Sequence, residues 1–158
     1  MMHSKKIGLV IVALLVLGAA FFGWKEYNRK VEPVKHLQPA AMVSASSIIK
    51  EFEANDSLPL KKYAGKLISV NGSITNIEKD DHGFFTVVLK DSGSMSAVRC
   101  AMDSLFANEL VRFQQGQTIT IKGMFTGYQK DETGLLGSDI ILNRCVIDAT
   151  QTTKREKE

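Results

Sequence analysis

The sequence predicts a mainly β domain with short helices: a closed five-stranded Greek-key barrel preceded by an apolar N-terminal segment. Apolar and polar residues alternate with a period of two from Lys66 onward, glycines interrupt the predicted strands, and one helical pattern lies between the third and fourth strands. The chain has 158 residues, 44% of them hydrophobic and 23% charged. This composition supports a packed core and excludes extensive disorder.

A short helix is predicted before the first strand. Ser44 is a suitable N-cap, and Ile48, Ile49 and Phe52 then fall on one helical face up to about Asn55. From Lys66 the period changes to two, which indicates strands.

Four of the five predicted strands have apolar residues on one face, and these are expected to point into the barrel. The inward residues are Ile68, Val70, Gly72 and Ile74 in the first strand, Phe85, Val87 and Leu89 in the second, Val98 and Cys100 in the third, and Ile119, Ile121 and Gly123 in the fourth. Thr86, Val88, Ala97 and Arg99 are expected to point outward. Gly72 predicts a sharp bend or bulge. The fifth strand is predicted to cover Asp139–Ile147.

The helix between the third and fourth strands is predicted to begin at Asp103, because Phe106, Leu110 and Phe113 recur at helical spacing. The order of helix, three strands, helix and two strands is that of the OB-fold. A β-sandwich would need more strands, and a doubly wound fold would need helices between most strands.

The N-terminus carries an uncharged apolar run of 18 residues, Ile7–Trp24. At about 1.5 Å per residue the run spans roughly 27 Å, close to the thickness of the bilayer hydrocarbon. It predicts a signal-anchor or transmembrane segment over residues 1–24, with a cleaved signal peptide ending near Gly18–Ala20 as the alternative. We expect a single-pass protein of the bacterial inner membrane with its domain on the periplasmic side, or a secreted domain if the segment is cleaved.

The remaining boundaries follow from composition. Residues 25–39 contain Pro33 and Pro39 without an apolar period and predict a tether, residues 40–148 form the OB-fold domain, and residues 149–158 predict a disordered charged tail. Within residues 40–148, 11 Lys or Arg stand against 13 Asp or Glu. The positive net charge of the chain therefore comes from its ends, and the body lacks the basic surface that nucleic-acid binding needs.

The barrel motifs resemble those of the tRNA-anticodon-binding-like OB-fold family. The residues that carry the resemblance are Tyr63-Ala64-Gly65-Lys66, then Ile68, Val70, Gly72 and Ile74, then Cys100, then Gly116-Gln117 with Ile119, Ile121, Lys122 and Gly123, and finally Cys145. The resemblance covers residues 44–148 and implies small, often exported bacterial proteins, most of them without an assigned activity. It implies nucleic-acid binding by analogy alone, because a fold does not determine a function.

Cys100 and Cys145 are the two cysteines of the chain and lie near the ends of the third and fifth strands, which are neighbours in an OB barrel. An exported domain would favour a disulfide between them, whereas a cytosolic one would keep two buried thiols. The bridge would close a loop of about 46 residues and stabilise the fold by about 4 kcal/mol.

The sequence predicts neither an enzyme nor a cofactor or metal site. His82, the one histidine within residues 40–148, lies in an acidic turn with Asp80 and Asp81, which a solvated hairpin tip explains better than a metal ligand. His3 and His36 lie in the predicted tail and tether, so no nucleophile–base pair can be assembled.

OB-folds bind ligands on the second and third strands and the flanking loops. The candidate ligand-face residues are Phe84, Lys90, Arg99, Tyr128 and Lys130. We expect an envelope protein, peptide or glycan to bind there, with the membrane contacted through the N-terminal helix. A domain that binds single-stranded nucleic acid is the alternative, which these two aromatic and three cationic side chains support weakly.

Overall fold

The computed structural model describes residues 18, 20–24, 27, 34–91, 93–133 and 135–148. The chain forms two units, Met1–Glu32 and Pro33–Glu158. In the first unit, residues 18, 20–24 and 27 are helical. Across the described part of the chain, no helix is both long enough and apolar enough to cross a membrane. Residues 1–17 and 19 of the predicted anchor, residues 25, 26 and 28–33 of the predicted tether, and the predicted tail at 149–158 lie outside the described residues.

The second unit is a five-stranded closed barrel with one additional strand. Its strands are β1 (Ala41–Ser44), β2 (Leu67–Lys79), β3 (Phe85–Lys90), β4 (Ala97–Met102), β5 (Thr118–Gln129) and β6 (Asp139–Ile147). The hydrogen-bonded order is β1-β2-β3-β4-β6-β5, and pairing of β2 with β5 closes the barrel. The parallel pair β4–β6 and the antiparallel closure are the OB topology, as predicted.

The helices are short and lie before the barrel and between β4 and β5. They are α1 (Ala45–Ala54), α2 (Ser57–Tyr63) and two 3₁₀ helices, Val34–His36 and Ala107–Arg112. The Ser44 side chain accepts a hydrogen bond from the Ser47 N–H at 3.1 Å, which confirms the predicted N-cap. The helix predicted from Asp103 is instead the second 3₁₀ helix, in which Leu110 is buried. Short helical connections often take the 3₁₀ form, with i→i+3 hydrogen bonds such as the one from the Phe113 N–H to the Leu110 carbonyl at 2.9 Å.

β1 was not predicted from the sequence. Its four residues pair in parallel with Ile68–Asn71 of β2, whose other edge is bonded to β5 in this region. Lys35 and Leu37 lie just before β1, and the buried ammonium of Lys122 in β5 donates to their carbonyl oxygens at 3.0 and 2.9 Å. The end of the segment predicted as a tether therefore lies against the barrel in residues 34–39, because Lys122 and the buried Val34 hold it there.

Of the bend or bulge predicted at Gly72, the bulge lies three residues further along β2. The pairing of β2 with β3 shifts between Ile74 and Asn76, so that Thr75 is the bulge residue. Gly72 has a different role, because a Cβ there would come within 2.8 Å of the Ala45 Cβ. Its missing side chain lets the first turn of α1 pack directly on β2.

Val88 and Ala97 point outward from the barrel as predicted, but both are buried. Val88 is 4% exposed and Ala97 is 1% exposed. The alternation itself holds, since Val87 and Leu89 lie in the barrel core. Longer side chains and loops cover the outer face at these two positions, and that surface forms the candidate site.

Candidate functional site

Side chains of β2, β3 and β4 form a shallow groove on the outer face of the barrel, which we call the strand groove. Asn76, Val88 and Arg99 lie side by side across it, because the register pairs Asn76 with Val88 and Val88 with Arg99. The groove has a volume of about 380 Å³. Its lining residues are Thr75, Asn76, Glu78, Val88, Lys90, Ala97 and Arg99 from the strands, with Met95, Gln115, Leu136 and Asp139 at its margins.

The bulge at Thr75 places the polar residues of β2 in this groove. Before the bulge, Ile68, Val70 and Ile74 are buried, whereas after it Ile77 packs on the core. One extra residue inverts the alternation, so Asn76 and Glu78 point outward. A regular strand would have placed them on the barrel side.

Charges in the strand groove are balanced. The Arg99 guanidinium donates to the Glu78 carboxylate, and its Nη1 lies 3.9 Å from Oδ2 of Asp139. Lys90 makes no ion pair among the described residues and lines the same groove. Two cations thus face two carboxylates, and Arg99 is already held by acidic partners.

Two further hollows continue the strand groove around the β3–β4 loop. One has a volume of about 750 Å³ and shares Thr75, Lys90 and Gln115 with it. The other has a volume of about 580 Å³ and shares Met95. The shared residues place the three hollows next to one another around the β3–β4 loop.

The structure brings two of the five predicted ligand-face residues together, Lys90 and Arg99. Phe84 lies in the β2–β3 turn, 55% exposed, and is not part of the groove lining. The Tyr128 ring stacks on Phe52 with centroids 4.5 Å apart, beside the core.

Lys130 is also absent from the groove lining. Its ammonium lies 3.2 Å from Oδ2 of Asp56, at the beginning of α2, and that hydrogen bond lowers the pKa of Asp56. The binding role of all five residues stays a prediction.

Cys100 and Cys145 are both buried and are free thiols in this structure. They lie on the neighbouring strands β4 and β6 within the core. Burial raises the pKa of the Cys145 thiol, and the adjacent Cys100 raises it further. Such a thiol stays protonated at neutral pH and is a poor nucleophile. The disulfide between them stays a prediction.

Two features bear on metal binding in the described part of the chain: the grouping of side chains that could bind a metal ion, and the surroundings of His82. No group of three or more His, Cys, Asp or Glu side chains within it could hold a metal ion. His82 lies in an exposed turn, where its backbone N–H donates to Asp80 Oδ1 at 2.9 Å. The arrangement is that of a hairpin tip.

Of the eleven lining residues, sequence reasoning named Lys90 and Arg99 as ligand-face residues and did not so name the other nine, among them Glu78, Met95, Leu136 and Asp139. A signal for one of them was present, because Leu135 and Leu136 are consecutive apolar residues in a loop rich in glycine and polar residues. Glu78 could not be assigned to this face, because the bulge that turns it outward has no glycine to mark it.

Comparison with solved structures supports the fold. The chain is similar to a candidate nucleic acid-binding lipoprotein from Klebsiella pneumoniae, with 18% identity, a TM-score of 0.53, and coverage of 67% of this chain and 90% of that one. Asparaginyl-tRNA synthetase from Entamoeba histolytica matches at 16% identity and a TM-score of 0.38, over 52% of this chain and 20% of that one. The enzyme from Pyrococcus horikoshii matches at 11% identity and a TM-score of 0.37, over 54% and 20%.

No curated protein matches the chain. A family model does, and it extends over most of the chain, from the N-terminal segment to the beginning of β6. That model, tRNA_anti-like, matches residues 1–139, so this OB-fold protein belongs to the tRNA_anti-like family.

Proposed function

We propose that the protein is a non-enzymatic OB-fold module, tethered to the membrane of the bacterial envelope, that binds a protein or peptide segment along the strand groove. The observation that carries the proposal is the neutralisation of Arg99 by Glu78 and Asp139. A groove with balanced charge and apolar margins suits a polypeptide, which offers both apolar side chains and backbone hydrogen-bonding groups.

Two features of the groove argue against nucleic acid and glycan. Phosphate binding depends on cations free to replace counterions, and Arg99 is engaged by two carboxylates. Single strands are also held by stacking of bases on aromatic rings, and the lining of the strand groove contains no aromatic residue. A sugar ring would likewise find no aromatic face there.

Single-stranded nucleic-acid binding is the second candidate, favoured by the description of the Klebsiella protein and by the family name. The same description, as a lipoprotein, supports a place in the envelope. This chain has no cysteine before Cys100 to carry a lipid, so its tether would be the apolar run Ile7–Trp24.

Site-specific photocrosslinking in intact cells tests the proposal. A photoreactive phenylalanine analogue replaces Met95 at the groove margin, and a control replaces Val111, which is 86% exposed and outside the groove. We expect protease-sensitive adducts from position 95 alone, and a changed yield of these adducts when Arg99→Glu is added. Lys61→Glu, on an exposed residue of α2, is the matched charge control.

Two results would contradict the proposal. Nuclease-sensitive adducts from position 95 would establish the second candidate instead. Equal adducts from both positions would show that the strand groove is not the binding surface.

A further inference from the structure

The loop between β5 and β6 presents two leucines to solvent beside the strand groove. Leu135 is 72% exposed and Leu136 is 81% exposed. Leu136 is also part of the groove lining, together with Met95, which is 57% exposed. The two leucines and Met95 form what we call the apolar tip.

The loop is built around one carboxylate. Asp131 accepts hydrogen bonds from the N–H of Thr133 at 3.0 Å, the hydroxyl of Thr133 at 2.6 Å, and the N–H groups of Leu136 and Gly137 at 2.7 and 3.2 Å. These bonds lower the pKa of Asp131 to about 2, the bond from the Thr133 hydroxyl having the largest effect. The carboxylate therefore stays ionised, and holds the loop, throughout the physiological range.

The base of the loop is fixed to β4. The Ser138 N–H donates to the Ser96 hydroxyl at 3.2 Å, and the Ala97 N–H donates to the Ser138 carbonyl at 3.0 Å. Gly137 has a φ of +79°, and a side chain there would collide with the Met95 backbone. These contacts restrain the apolar tip, so that less conformational entropy would be lost when a partner buries it.

The surroundings of the apolar tip are acidic. Across the strand groove and the two adjoining hollows, five carboxylates face three cations. The carboxylates are Glu53, Glu78, Asp91, Asp131 and Asp139, and the cations are Lys50, Lys90 and Arg99. Glu132, exposed in the same loop, adds a further negative charge. A complementary partner carries positive charge.

We propose that the apolar tip is the anchor of the binding surface and that the partner is a cationic protein segment with apolar side chains, which bury Leu135 and Leu136. This inference rests on the proposed function and specifies its partner. The apolar residues would supply the affinity, and the acidic surroundings would select the charge.

Binding of model peptides tests the inference. The full-length chain in neutral lipid nanodiscs is titrated into fluorescent peptides of repeating Leu-Lys-Ser, Leu-Glu-Ser and Ser-Lys-Ser, with the signal of empty nanodiscs subtracted. We expect the Leu-Lys-Ser peptide to bind at least about tenfold more tightly than either of the others, because burial of even one leucine corresponds to a factor of this size.

Variants connect that affinity to the apolar tip. Leu135→Ser with Leu136→Ser should weaken Leu-Lys-Ser binding by about tenfold or more, whereas Leu105→Ser with Val111→Ser, exposed residues outside the groove, should leave it unchanged. Asp131→Ala tests preorganisation, since it frees the loop without removing an apolar group, and should weaken binding less than the leucine variant does.

Equal affinity for the three peptides, or equal effects of the two double variants, would overturn the inference. Protease-sensitive crosslinks at Met95 would in that case still uphold the proposed function, with a partner of different chemistry. The two failures can therefore be told apart.

Discussion

Removing the two carboxylates that hold Arg99 should turn the strand groove into a weak nucleic-acid site. The Glu78→Gln, Asp139→Asn variant leaves Arg99 unpaired on the outer face, beside Lys90, which makes no ion pair among the described residues. Both acids are partly exposed, at 40% and 33% of their side-chain surface. Exposed ion pairs contribute about 0–1 kcal/mol, so the variant should fold, with a melting temperature within a few degrees of the wild type.

The expected size of the effect follows from the number of unpaired cations in the groove, which is two in the variant, Arg99 and Lys90. For single strands, the logarithm of the binding constant falls with the logarithm of salt concentration by about 0.7 per neutralised phosphate, which gives a slope of about −1.4 for the variant. A rise from about 50 to about 200 mM salt should then weaken its binding roughly sevenfold. The wild-type slope should be no steeper than about −0.7, because Arg99 is already neutralised and Lys90 alone is unpaired.

Fluorescence anisotropy of a labelled single-stranded oligonucleotide, titrated with the full-length chain at several salt concentrations, measures this slope. The control variant Asp81→Asn, Glu132→Gln removes the same charge from exposed positions outside the strand groove and should leave the slope unchanged. A steep slope for the wild type would refute the reasoning. So would a folded Glu78→Gln, Asp139→Asn variant that does not bind at the lowest salt.

The remaining predictions concern the stability of the fold and of the loop. Phe52→Ala should lower the free energy of unfolding by about 3–5 kcal/mol in denaturant titrations, because its buried ring stacks on Tyr128 and Phe125; Phe52→Leu should cost less. The pKa of Asp131 is lowered from 3.8 to about 2 by folding. The contribution of this carboxylate to the stability of the loop is therefore complete above about pH 4 and is lost as pH falls through 2. The protection factor of the Gly137 amide, which corrects the hydrogen-exchange rate for the intrinsic effect of pH, should fall over that acidic range, and Asp131→Asn should abolish the fall; an unchanged protection factor in the wild type would contradict this. Gly137→Ala should unfold at lower temperature than the wild type, since φ is +79° there and a Cβ meets the Met95 backbone, and an equal melting temperature would show that the backbone can shift. Alkylation under denaturing conditions, with and without reductant, should reveal a Cys100–Cys145 bridge in protein isolated from cells, whereas two thiols alkylated without reductant would place the domain in a reducing compartment.

The elements that the sequence predicted well have strong local signals. Ser44 caps α1 as expected, and the sixth strand has the predicted bounds, Asp139–Ile147. Both patterns depend on nearest neighbours: an N-cap hydroxyl bonds three residues on, and alternation of side chains is a property of one strand. The predicted order of the barrel strands was also confirmed, because each strand is recognised from the alternation of its own residues.

The elements that it predicted poorly depend on distant parts of the chain. β1 has four residues and exists because one edge of β2 is open beside it. The segment from Asp103 has the spacing of an α-helix, but it forms a 3₁₀ helix of six residues in the short connection between β4 and β5. Neither outcome has a local signature.

The amino-acid sequence alone determined the family, the mainly β class and the mildly acidic body, because alternation, capping and charge counts do not depend on how strands are arranged. Only the tertiary structure decided which side chains meet at the surface. The bulge at Thr75 turns Glu78 outward, and the β5–β6 loop places Leu136 beside Met95. Contacts between residues far apart in the chain are set by register and loop conformation, and a single extra residue in one strand is enough to exchange its buried face for its exposed one.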